Sequence, residues 1–113
     1  MPMDILFKSR KIWELCYDDR LATRTLGPES AHKLRTRLDD LVALPNLSLA
    51  RRLPGRFHPL SRDRAGQYAL DLHGGNRLVF EPAGDSIATL PDGSRNLASV
   101  TAIRIVLIGD YHD

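Results

Sequence analysis

Seven side chains in this sequence have the chemistry for acid–base work on an anionic substrate: His58, Arg62, Arg64, Arg77, Asp110, Tyr111 and His112. Two histidines divide proton transfer near neutral pH, one taking a proton while the other gives one. Arginines bind a phosphate through two parallel N–H bonds and offset the charge that builds on it in a transition state. A tyrosine stacks on a base or donates a hydrogen bond. Together these groups suit cleavage of an RNA phosphodiester with the 2′-hydroxyl as nucleophile. The same residues also fit a plainer reading, in which His58 and His112 are unrelated surface residues and Tyr111 is a rim aromatic.

Charge adds to this picture. The chain has 113 residues, with 16 Lys and Arg against 14 Asp and Glu, a net +2. The basic residues are unevenly spread. The stretch 51–64, RRLPGRFHPLSRDR, carries Arg51, Arg52, Arg56, Arg62, Arg64 and His58 against one acid, Asp63. Such a block suits an anionic partner such as RNA, and equally suits a solvated loop face.

The elements that must position these residues read as a helical first half and a β second half. DILFK (4–8) is a short strand, and Ser9 is an N-cap for a helix over about 9–19. Ile12, Leu15 and Cys16 form one stripe of that helix, and Trp13 and Tyr17 a second. Gly27-Pro28 breaks the chain, and Pro28 opens a second helix that runs to Pro45. Its apolar face holds Leu34, Leu38, Leu41, Val42 and Leu44, with Arg and Asp opposite. The two helices form a hairpin laid on a sheet.

After one helical turn in 45–55 the period changes to two. FHPL (57–60) is short and fits an edge strand but not a central one, because Pro59 cannot donate to a ladder. In QYALDLH, Tyr68, Leu70 and Leu72 share a face; Gly74-Gly75 makes a tight turn; in NRLVFE, Leu78 and Phe80 share a face opposite Arg77 and Val79. Residues 81–99 form a long connection rich in turn formers. The last strand, about 100–109, alternates Ile103, Ile105, Leu107 against Ala102, Arg104, Val106, Ile108. Apolar residues on both faces mark it as central. With FHPL left aside, the order β-α-α-β-β-β predicts a single α+β domain spanning 1–113 with a mostly antiparallel sheet.

Other chemistries find little support. Cys16 is the lone cysteine, which excludes an intrachain disulfide and a cysteine-based zinc cluster, and it reads as a small core residue. The histidine spacings match no metal site, so no metal or cofactor is expected. No stretch approaches 18 apolar residues and the first residues lack a signal-peptide pattern, so a cytoplasmic protein without a membrane span is expected.

FHPLSRDRAGQYALDLHGGNRLVFE, followed by IRIVLIGDYHD, resembles the RelE superfamily of bacterial type II toxins, and within it the HigB branch of plasmid-maintenance or proteic killer proteins. The opening ILFKSRKIWELC and the two helices extend the resemblance over nearly the whole chain. It implies a small α+β fold and a metal-independent, ribosome-dependent endoribonuclease that cuts mRNA. It implies a helix-turn-helix, HigA-like antitoxin partner. It also assigns function to His58, Asp110, Tyr111 and His112, and phosphate contact to Arg77; the charge block at 51–64 makes Arg51, Arg52, Arg56, Arg62 and Arg64 the expected RNA-binding surface. Two alternatives stand beside it: a gyrase-poisoning, ParE-like toxin, and a non-catalytic RNA- or ribosome-binding module.

Overall fold

Strand β1 (Asp4–Phe7) and helix α1 (Arg10–Tyr17) open the computed structural model, which describes residues 3–84 and 90–110. Tyr111, His112 and Asp113 lie outside the described residues. The Ser9 hydroxyl accepts the Ile12 N–H at 3.2 Å, the expected cap of α1. The helix does not run on. Asp18 takes an extended conformation, and its carboxylate accepts the N–H groups of Arg20 and Leu21, both at 3.1 Å. One carboxylate thus stops α1 and starts α2 (Asp19–Leu26). The expected hairpin therefore has three helices. Gly27, at φ +89°, turns the chain into α3 (Pro28–Ala43), with Pro28 at its first position as anticipated.

The sheet has five strands in the order β1-β5-β4-β3-β2, where β2 is His58–Pro59, β3 Tyr68–Asp71, β4 Asn76–Pro82 and β5 Ala102–Asp110. β1 pairs with β5 in parallel; every other pairing is antiparallel. β5 is central and β2 is an edge, as the sequence pattern implied. The architecture is the expected α+β one.

The main core lies between the helices and one face of the sheet. Leu34, Leu41, Leu47, Leu70, Leu78, Phe80, Ile103 and Ile105 are among its fully buried members. Two polar residues share this burial. Ser30 of α3 donates to the His73 carbonyl (3.1 Å) and accepts from the His73 N–H (3.2 Å) and the Asn76 amide (3.0 Å). That fixes the β3–β4 turn to the helix. Arg37 is also buried, its Nε donating to the Asp71 carbonyl at 3.4 Å, although the expected pattern put the arginines of α3 on its solvent face. The turn before β2 passes over its guanidinium at Gly55 (φ +107°), where a Cβ would sit 2.7 Å from Arg37 Nε.

A second correction concerns β5. Phe80 pairs with Ile105, but Val79 pairs with Leu107, so Val106 is an extra residue in a β-bulge. The bulge shifts the phase of everything after it. Leu107 joins Leu60, Ala69, Val79 and Val106 on the sheet's other face, while Ile108 packs on the main core. Simple alternation had assigned Leu107 and Ile108 the opposite way.

Candidate functional site on the open face of the sheet

The face of the sheet turned away from the helices carries a small apolar centre, Leu60, Ala69, Val79, Val106 and Leu107. Two polar rows flank it. In one, Asp71 and Arg77 sit directly opposite each other on β3 and β4. Arg77 Nε lies 3.4 Å from Asp71 Oδ1, and Arg56 Nε lies 2.8 Å from Asp71 Oδ2. One carboxylate therefore holds two guanidiniums. Arg77 is mostly covered, with 20% of its side chain exposed, whereas Arg56 is 60% exposed. In the other row, Arg64 donates to Gln67 (2.9 Å), Gln67 donates to Glu81 (3.2 Å), and Arg104 lies 3.6 Å from Glu81.

His58 stands at the edge of this face. Its register partner is Ala69, so its side chain shares the apolar centre's side of the sheet. The ring Nδ1 lies 2.7 Å from the Arg56 carbonyl oxygen, which makes that nitrogen the donor and leaves Nε2 as the basic position of a neutral ring. Arg56 and Arg62 are the two non-glycine residues at positive φ among the described residues, +54° and +56°. That conformation costs an L-residue about 1–2 kcal/mol. At Arg56 it accompanies an ordered contact with Asp71 and the carbonyl that orients His58.

Asp71 thus pairs with both Arg56 and Arg77, and His58, held by the Arg56 carbonyl, lies on the same face. Sequence reasoning did not single out Asp71. Its signal was its place directly across a hairpin from Arg77, a spacing that the turn length determines.

The other expected site residues distribute differently. Asp110 pairs with Asn76, whose side chain bonds to Ser30, so the bulge directs Asp110 to the helix side of the sheet rather than to the face of Arg77. Its carboxylate oxygens lie 2.9 Å from where a Cβ on Gly75 would stand. Gly109, opposite Arg77, takes φ +154°, a conformation that L side chains rarely adopt. Asp110 and His58 stand on strands three spacings apart, about 14 Å. Of the basic block, Arg51, Arg52, Arg56 and Arg62 are exposed and Arg64 is half-buried. Three of them divide between two sides of β2. Arg56 and Arg64 belong to the open face, whereas Arg51 borders a cavity on the opposite side of β2. Tyr111 and His112 lie outside the described residues.

Cys16 behaves as a packing residue. Burial pushes its thiol up to about 12, far from the range of a nucleophilic thiolate. No described helix is long and apolar enough to cross a membrane.

In sequence the chain matches no protein family, and no curated protein matches it significantly. In structure it is similar to the YoeB/ParE toxin from Agrobacterium tumefaciens, with a TM-score of 0.58 and 14% identity over 97% of this chain and 100% of that one. The chain thus shares its architecture, three helices on one face of a five-stranded sheet, with that structure.

Proposed function

We propose that the chain is the toxin of a type II toxin–antitoxin pair, of the HigB kind, which cleaves mRNA on the ribosome in the cytoplasm and is silenced by a helix-turn-helix, HigA-like antitoxin. The observation that carries the reading is the pairing of both Arg56 and Arg77 with Asp71, on the sheet face that also carries His58, in a fold shared with a YoeB/ParE toxin.

In this reading Arg77 binds the scissile phosphate. Its exchange of Asp71 for a phosphate requires little movement, because Arg56 remains to hold the carboxylate. His58 takes the 2′-hydroxyl proton; its position on the face of Arg77 favours it over Asp110 for that step. The 2′-oxygen attacks phosphorus, the P–O5′ bond breaks, and a 2′,3′-cyclic phosphate and a 5′-hydroxyl result. His112 gives the leaving 5′-oxygen its proton, and Tyr111 holds the flanking base. Asp110 braces the end of β5. The ribosome contributes an aligned strand, and alignment alone removes about 7–11 kcal/mol of barrier.

Primer extension on translating ribosomes tests this. Cleavage within the open reading frame, growth arrest on free expression, and growth restored by the antitoxin are expected. Gyrase-dependent DNA breaks without mRNA cleavage would establish the ParE-like alternative, which needs no acid–base pair. Ribosome binding with neither would leave a non-catalytic binding module.

A further inference from the structure

A second cavity lies on the helix side of the edge strand β2. Its volume is about 620 Å³, within the range of small-molecule sites. One wall is the parallel stack of Phe57 on Tyr68, with ring centroids 5.2 Å apart and planes 9° from parallel. Arg51, Arg95, Asn96 and Leu90 are among its other lining residues.

The polar groups here are unequally committed. Arg95 gives one N–H to the Gly66 carbonyl at 3.1 Å, and the Asn96 Oδ1 caps the following turn by accepting from the Ala98 N–H. The Arg51 guanidinium, the Tyr68 hydroxyl and the Asn96 amide N–H groups have no protein partner among the described residues. No carboxylate is among the described residues that line the cavity. An aromatic wall, two guanidiniums and a side-chain amide, without an opposing acid, match a planar heterocycle joined to an anion.

We propose that this cavity binds one nucleotide, its base against Phe57 and Tyr68 and its phosphate between Arg51 and Arg95. Asn96 donates to a base or sugar oxygen, and the Tyr68 hydroxyl reaches the sugar. Two sources would present this chemistry: a free mononucleotide, or one nucleotide of a single-stranded RNA. The topology favours RNA. Pro59 lines the cavity while the adjacent His58 lies on the open face, and β2 is only two residues long. A strand turning around this short edge would occupy both sites.

Titration of the full chain with adenosine 5′-monophosphate, followed by ¹H–¹⁵N NMR and calorimetry, tests the pocket without reference to mRNA cleavage. Shifts confined to residues 48–51, 57, 68 and 94–98 are expected. Arg51→Ala and Asn96→Ala should each weaken binding about tenfold or less with an unchanged far-UV spectrum, and Tyr68→Phe keeps the ring should Tyr68→Ala fail to fold. A 2′-O-methylated tetraribonucleotide is the second arm. Binding at least tenfold tighter than the mononucleotide, and equally sensitive to Arg51→Ala, assigns the site to RNA; equal affinity assigns it to the free nucleotide. Absence of shifts at those residues, or variants that bind both probes like wild type, overturns the proposal. Tetranucleotide binding that is lost with Arg77→Ala but indifferent to Arg51→Ala overturns it too, while leaving the open-face reading intact.

Discussion

Arg77 meets Asp71 across the β3–β4 ladder, Nε to Oδ1 at 3.4 Å, and the same carboxylate is already engaged by Arg56 on its other oxygen at 2.8 Å. An anion approaching this face competes with Asp71 for guanidiniums that are held in place. Asp71 therefore keeps the arginines ordered and lowers their affinity for phosphate at once.

Replacing Asp71 with Asn should separate these effects. RNA affinity should rise, and its salt dependence should steepen by about 0.7 in logarithmic slope for each further phosphate that the freed arginines neutralise on a single strand. Cleavage should slow, because the freed guanidiniums lose their shared anchor. Stability should fall by no more than about 1 kcal/mol, as for other partly exposed pairs. Filter binding across a salt series and single-turnover cleavage give the two readings; an unchanged salt slope would show that neither arginine contacts phosphate.

The acid–base assignment predicts distinct kinetics for His112 and Arg77. His112→Ala should slow single-turnover cleavage about 100-fold or more with ribosome binding retained. A substrate with a 5′-bridging sulfur needs little protonation and should rescue His112→Ala, but not Arg77→Ala. Rescue of both, or of neither, would remove His112 from the role of acid.

Core and site should respond oppositely to truncation. Phe80→Ala should cost about 3–5 kcal/mol and Leu41→Ala about 2–5 kcal/mol, since both are fully buried. His58→Ala should stay within about 0.5 kcal/mol of wild type. Urea unfolding measures both. A large loss at His58 would mark it as a structural residue.

Cys16 couples packing to pH. Its thiol is raised from 9.0 to about 12 by burial, so the folded state favours the protonated form. The sign follows: its contribution is complete below pH 9 and is lost as pH rises from 9 toward 12. Cys16→Ala should flatten that alkaline decline in melting temperature. A thiol reagent at about pH 8, near the ordinary thiol pKa, should label native protein slowly and unfolded protein fast; equal rates would contradict the burial.

Gly75 has its own test. Gly75→Ala places a methyl group against the Asp110 carboxylate, at 2.9 Å. It should lower the melting temperature, and Asp110→Ala should recover much of that loss. Additive effects in the double variant would show that the two do not couple.

How much of this was legible beforehand follows from the range of the forces involved. The Ser9 cap, the Pro28 helix start and the Gly74-Gly75 turn are local, and each was readable from neighbouring residues. The edge position of β2 followed from Pro59, and the central position of β5 from apolar residues on both faces. What escaped was set by distant partners. Asp18 as a joint between two helices competes with continued helix and is decided by α2 packing on α3. Arg37 looked like a solvated helix position until the turn at Gly55 closed over it. The bulge at Val106 has no sequence mark among apolar neighbours, yet it decides the faces of Leu107, Ile108 and Asp110. His58 and Arg77 were recognisable by type and by resemblance; Asp71, which joins Arg77 to Arg56, emerged only from the register.

The placement of β5 has a consequence for synthesis. It sits between β1 and β4, and nearly a hundred residues separate β1 from this neighbour. While the chain emerges from the ribosome, β1 has no strand to pair with and β4 has one bare edge until residues 102–110 follow. Such long-range pairing is slow to form, so the sheet closes only after its last strand is made. The open face, with Arg77 opposite Gly109, is assembled in that same late step. The sheet, and with it the face that carries Arg77, is therefore incomplete until residues 102–110 are made.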